Sequence, residues 1–238
     1  MRTCILCLPR TGSQYCENLI ASLDDRFILS EYLELWNKSE YVVDHNSMFW
    51  IKTRIVDNEE KPITSSSINS EYLDRLELLK KARASQKFTM RLFMFSDYNL
   101  EDIVAKLGDM GFDFVNLRRD FYSMAMSYTL GYNYASQGSP IWLADSQISS
   151  QVKVDINETK KRLDRIYTAV NDWEDNLTKL NIDCPTLNYN TLVDDITNLF
   201  GAVPKYTGIK TVHNNDYLTH IINKDEVLNM MESYISKT

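Results

Sequence analysis

The chain has 238 residues, 44% of them apolar and 25% charged, enough to bury one sizeable core or two small ones without disulfides or metals. Its net charge of -7 argues against a broad surface for nucleic acid or anionic membrane and leaves room only for a local basic pocket. With 7 Gly, 5 Pro and 11% aromatic residues, collagen-like, low-complexity and mostly disordered chains are excluded.

In chain order, the apolar run TCILCL (Thr3 to Leu8) reads as a strand, PRTGS as a tight loop, and Cys16, Leu19, Ile20 and Leu23 as the buried face of a helix. Phe27 to Ser30 is a second short strand leading into SEYLELW. From about Asn37 to Ser67 the composition is mixed, and a loop or irregular lid is expected. Leu73, Leu76 and Leu79 mark a helix ending near Ala84, and FTMRLFMF is apolar enough for a buried parallel strand. Ile103, Val104 and Leu107 give the next helix, stopped by Gly108 and Gly111. FDFVNL (Phe112 to Leu117) is a strand running into Arg118-Arg119-Asp120 and the helix FYSMAMSYTLGYNY. After a break at Ser136 to Pro140, helical spacing returns from about Asn157 to Leu180. Cys184 to Tyr189 is a last strand, Thr191 to Phe200 a helix closed by Gly201, and Asp225 to Ile235 a C-terminal helix. Alternating strands and helices predict an α/β fold: a three-layer α/β/α sandwich with a central, mostly parallel sheet of four to five strands, forming one domain over residues 1–238.

Cys4, Cys7, Cys16 and Cys184 lack the density and spacing of a disulfide framework, so reduced thiols in a cytoplasm are expected. On one strand Cys4 and Cys7 point to opposite faces, and His45, His213 and His220 are scattered, so no metal site is expected. The first apolar run is too short for a signal-peptide core, and no stretch approaches the ~20 apolar residues of a membrane span.

Two constellations carry chemistry. In PRTGS the backbone N–H groups of Thr11, Gly12, Ser13 and Gln14 can converge on an anion at a helix N-terminus, with Arg10 and the Ser13 hydroxyl adding charge and a donor. Taken alone, the same residues also fit a plain strand-to-helix turn. Neither G-x-G-x-x-G nor G-x4-G-K-[ST] is present, so the loop is not one of the common nucleotide cradles. In RRDFYSMAMS, Arg119 ends a strand and Ser127 follows two helical turns later, at the sheet edge where ligands of such folds bind.

Together these motifs resemble the sulfotransferases that use 3′-phosphoadenosine 5′-phosphosulfate (PAPS), closest to the bacterial and carbohydrate branches. PRTGS resembles that family's 5′-phosphosulfate loop, RDFYSMAMS its 3′-phosphate motif, and LNYNTLVDDITNLFG its late strand-helix segment. The resemblance implies PAPS as sulfuryl donor, adenosine 3′,5′-bisphosphate (PAP) as product, no metal, and a hydroxyl-bearing acceptor such as a sugar or small molecule. Cofactor binding is expected of Arg10, Thr11, Gly12, Ser13, Gln14, Arg119, Ser127 and Tyr189, with Arg10 also acting in the transfer, and Lys210, in the Gly- and polar-rich stretch YTGIKTVHNN, is expected to close over the nucleotide. Three departures stand out: Gln14 replaces a usual Ser or Thr, Asn190 replaces a Glu, and Arg91 and Phe93 stand where some members carry K-x-H. The base must then come from elsewhere; Glu31, just after the second strand, fits the place of the catalytic carboxylate, with Glu34 and His45 behind it. Trp36, Trp50 and Trp142 are available to line an acceptor pocket. The competing readings are a small-molecule kinase using Asp97 or Asp120 for Mg²⁺, and a nucleotide-binding module with Tyr128, Tyr132 and Tyr134 on its surface.

Overall fold

The computed structural model describes residues 1–24, 26–30, 40–43, 49–52, 76–77, 79–80, 87–94, 100–136, 151–206 and 218–235. Strands β1 (Arg2–Cys7), β2 (Phe27–Ser30), β5 (Phe88–Phe93), β6 (Phe112–Arg118) and β7 (Thr186–Asn188) form one sheet in the order β2-β5-β1-β6-β7, while β3 (Glu40–Val43) and β4 (Phe49–Lys52) form a separate pair. Every pairing in the five-stranded sheet is parallel. All six residues of β1 and of β5 are buried, which explains why both are mainly apolar, with Arg2, Thr3, Thr89 and Arg91 as the exceptions: strands covered on both faces have no solvent side to make polar.

Side chains alternate across β1. Cys4 and Leu6 join one buried cluster and Ile5 and Cys7 the other, so the two cysteines do face opposite layers. The Ile5 side is covered by α1 (Ser13–Ala21) and α6 (Leu192–Phe200), through Cys16, Leu19, Ile20, Leu192 and Ile196. The other side is covered by α2 (Leu100–Asp109), α3 (Phe121–Ser136), α4 (Ile156–Asn171), α5 (Trp173–Lys179) and α7 (Lys224–Ile235). The result is the three-layer α/β/α arrangement that the alternation of elements predicts.

Strand order also positions the site. From β1 the chain departs through α1 to β2, beyond β5, whereas from the adjacent β6 it departs through α3, α4 and α5 to β7 on the opposite side. Adjacent parallel strands whose connections diverge leave a crevice at their carboxyl ends, and ligands of open α/β sheets bind there. The loop after β1 and the start of α3 after β6 flank that crevice.

Several expectations need correction. The region Asn37 to Ser67 contains the antiparallel β3–β4 pair, with Val42 opposite Trp50, rather than loop alone; its YVV and FWIK runs are β-branched and aromatic, a strand signal outweighed by the polar residues around them. The helical spacing across Asn157 to Leu180 divides at Asp172 into α4 and α5. The last strand is shorter than Cys184 to Tyr189, because the chain turns into a 3₁₀ segment at Tyr189–Thr191 before α6, which ends on Gly201 at φ 66°. Among the described residues no helix is long and apolar enough to cross a membrane, and no group of three or more His, Cys, Asp or Glu is placed to hold a metal ion.

Candidate anion site at the carboxyl ends of β1 and β6

The loop between β1 and α1 is tightly wound. Thr11 is buried and directs both its N–H and its hydroxyl to the Leu8 carbonyl, at 3.3 and 2.8 Å. The Thr11 N–H thus has a partner within the loop itself. Two loop residues adopt left-handed backbone, Arg10 at φ 68° and Gly12 at φ 85°. For an L residue that conformation costs about 1–2 kcal/mol, and such strain persists only where the surroundings over-determine it. At Gly12 space is also decisive, since a Cβ would lie 2.1 Å from Cε2 of Tyr189.

The predicted residues converge here. Arg10 donates through Nε to the hydroxyl oxygen of Ser127 at 3.0 Å, although 117 positions separate them. Arg119 donates through Nη1 to the Arg10 carbonyl at 3.2 Å, and its guanidinium lies 4.3 Å above the Tyr189 ring, a cation–π contact. Asp120 makes the geometry reproducible: its carboxylate accepts from the Ser123 N–H at 2.7 Å and the Ser123 hydroxyl at 2.6 Å, starting α3 directly after Arg119. From that start, Ser127 comes two turns along, buried and beside the loop. Both Asp120 oxygens thus serve in capping α3.

Ser13 and Gln14 open α1, whose first-turn N–H groups have no acceptor inside the helix. The Ser13 hydroxyl is buried and accepts from Arg91 Nη1 at 3.3 Å, while Gln14 is exposed. Arg91 lies within β5, opposite Ile5, with its Nε 3.6 Å from the buried Glu17 carboxylate on α1. This buried ion pair beneath the loop was not assigned a role by sequence reasoning; its signal was a lone arginine in an apolar strand.

The site also has an aromatic side, in which Tyr15 and Tyr206, given no role by the sequence, join Tyr189. Tyr189 packs edge-on to Tyr15 at 6.5 Å between centroids, and Tyr15 lies 6.1 Å from Tyr206. Burial, followed by the neighbouring Tyr189 and Tyr206 phenols, pushes the Tyr15 hydroxyl above its ordinary pKa, so it stays a neutral donor at physiological pH. Tyr189 itself is buried between Arg119 and Gly12 and serves as a platform for the arginine. Of the surface tyrosines, Tyr128 and Tyr132 stack at 6.3 Å and Arg162 covers the Tyr132 ring at 4.1 Å, which occupies that stripe within the protein.

Glu31, Glu34, His45, Asp97 and Lys210, with Trp36 and Trp142, lie outside the described residues.

Comparison of the chain with family models, curated proteins and solved structures found no match. Function therefore rests on the chemistry of the site. Two guanidiniums, a serine hydroxyl and a helix start suit a doubly charged phosphate, and the tyrosines beside them suit a planar base.

Proposed function

We propose that the protein is a sulfotransferase that carries a sulfuryl group from PAPS to a hydroxyl of a sugar or small-molecule acceptor and releases PAP. One observation carries the reading: Arg10, Arg119 and Ser127, distant in sequence, meet in the crevice between β1 and β6. A nucleotide bearing phosphates at two positions matches that placement better than a single-phosphate ligand does. Arg119 and Ser127 hold the 3′-phosphate, the start of α1 receives the 5′-phosphosulfate, and Tyr15 and Tyr206 flank the base, with Tyr189 supporting Arg119 from beneath.

In this reading the acceptor oxygen attacks sulfur, the bond from sulfur to the bridging phosphate oxygen breaks, and its electron pair stays on the phosphate. Arg10 and the α1 N-terminus stabilise the charge that grows there. Glu31 takes the acceptor proton as the attack proceeds. Holding the nucleotide by its remote phosphate fixes the sulfuryl group toward the acceptor, so part of the binding energy goes into orientation.

Calorimetric titration separates this reading from the kinase and binding-module alternatives. The sulfotransferase reading expects saturable binding of PAP without metal and weaker binding of ATP with Mg²⁺. Tighter binding of ATP with Mg²⁺ favours a kinase, and binding of neither removes the proposal.

A further inference from the structure

Strand β5 carries one charged residue, Arg91, and that residue is buried. Side chains alternate along a strand, so Arg91 shares the face of Phe93, on the side of the sheet that α1 covers. There it meets two side chains four positions apart on α1, and hence on one helix face. Its Nη1 donates to the Ser13 hydroxyl oxygen at 3.3 Å, and its Nε lies 3.6 Å from Oε2 of Glu17. Both partners are buried, Glu17 with 1% exposure. Stability alone does not account for the pair, since apolar residues of similar volume usually serve a core as well or better. The pair does have a chemical consequence at Ser13. A hydroxyl offers one hydrogen and two lone pairs, and a guanidinium can only donate, so Arg91 occupies a lone pair and leaves the hydrogen. Among the described residues, the Ser13 hydroxyl makes no other hydrogen bond. Ser13 is also the first residue of α1, so that hydrogen belongs to the same helix end as the first-turn N–H groups.

We propose that Arg91 is a positioning residue for nucleotide binding, acting through Ser13 without touching the ligand. Glu17 balances the charge of the guanidinium and keeps it against α1, and the guanidinium turns the Ser13 hydroxyl into a donor only. Polarisation along the chain of hydrogen bonds strengthens that donor. A helix start furnished with donors alone suits a group whose outer oxygens only accept, such as a fully ionised phosphate or a phosphosulfate, and disfavours one that must itself donate. The inference rests on the sulfotransferase reading, in which the 5′ end of the nucleotide lies at the start of α1, and adds a buried pair that sets how strongly that end is held.

The test is calorimetric titration of the full chain with PAP and with adenosine 3′-monophosphate, which lacks the 5′ group. Arg91→Met alone would strand the Glu17 carboxylate in the interior, so the variant of choice is Glu17→Gln with Arg91→Met, which removes both charges together; its melting curve checks the fold. The pair variant should lose about tenfold or more in PAP affinity, as for one hydrogen bond to a charged group. Its affinity for adenosine 3′-monophosphate should stay within about twofold of wild type, as for a site that does not share the contact. Ser13→Ala should reproduce the loss, and adding the pair variant to it should cost nothing further. An unchanged PAP affinity, an equal loss for both nucleotides, or losses that add to that of Ser13→Ala overturn the inference while leaving the sulfotransferase reading in place. Binding of neither nucleotide by wild type removes that reading and the inference with it.

Discussion

Gly12→Ala isolates the packing that brings the two halves of the site together. Two costs are built into the structure at this position. The backbone sits at φ 85°, and a β-carbon would lie 2.1 Å from Cε2 and 2.4 Å from Cδ2 of Tyr189. The left-handed conformation costs about 1–2 kcal/mol in an L residue, and forcing a methyl group into a packed interior adds about 1–3 kcal/mol. Tyr189 has little room to withdraw, being buried beneath Arg119 and against Tyr15. The expected destabilisation is therefore roughly 2–5 kcal/mol, or about 4–20 °C in Tm at ~2–4 °C per kcal/mol for a domain of this size. Urea unfolding with an unchanged m value measures it. A cycle with Tyr189→Leu divides the two costs: the double variant should recover the steric part, giving a coupling of about 1–3 kcal/mol, and retain the backbone part. A Gly12→Ala protein within about 0.5 kcal/mol of wild type, or an additive cycle, refutes the argument, since distant surface changes behave that way.

Arg10→Ala should lower turnover by more than it lowers nucleotide affinity, because the proposed function sets Arg10 against charge that develops only on transfer; single-turnover kinetics beside calorimetry checks this, and a loss confined to affinity makes Arg10 an anchor. Glu31→Gln should keep fold and PAP binding and lose roughly 10²-fold or more in turnover if Glu31 is the base. Equal turnover in that variant transfers attention to Glu34 and His45. Burial, reinforced by Asp183 and opposed by Arg118, pushes the Cys184 thiol up to about 11. Its alkylation by iodoacetamide should stay slow at pH 8 in the native protein and accelerate toward pH 11. The same shift implies that raising pH above ~8.5 removes the proton from the unfolded chain first, so this group lowers stability as pH rises. A native rate at pH 8 equal to that of the unfolded chain contradicts the assignment.

The fold was legible because its signals are strong and local. Mainly apolar runs at β1 and β5 mean burial on both faces, and the 3.6-residue spacing of Ile103, Val104 and Leu107 means one helix face against the sheet. Strand order was not legible, because pairing between β1 and β6 or β2 and β5 depends on crossover direction, which no local pattern encodes. The candidate site was legible where motif and strand end coincide, as at Arg10 and Arg119. It was illegible where a contact spans the chain: Arg10 with Ser127, Gly12 with Tyr189 and Arg91 with Glu17 each join two elements brought together only by the sheet. The Thr11 bonds to the Leu8 carbonyl were illegible for a related reason, since which N–H groups a loop uses for its own winding depends on its folded shape.

The central claim, that Arg119 and Ser127 are reserved for a 3′-phosphate, is tested most directly by measuring PAP and AMP affinities side by side in wild type and Arg119→Ala. A charge-assisted contact worth about 1.5–3 kcal/mol predicts PAP bound at least tenfold more tightly than AMP in wild type and a largely lost preference in the variant. Equal wild-type affinities for the two nucleotides, or a preference for PAP that survives Arg119→Ala intact, contradicts the account.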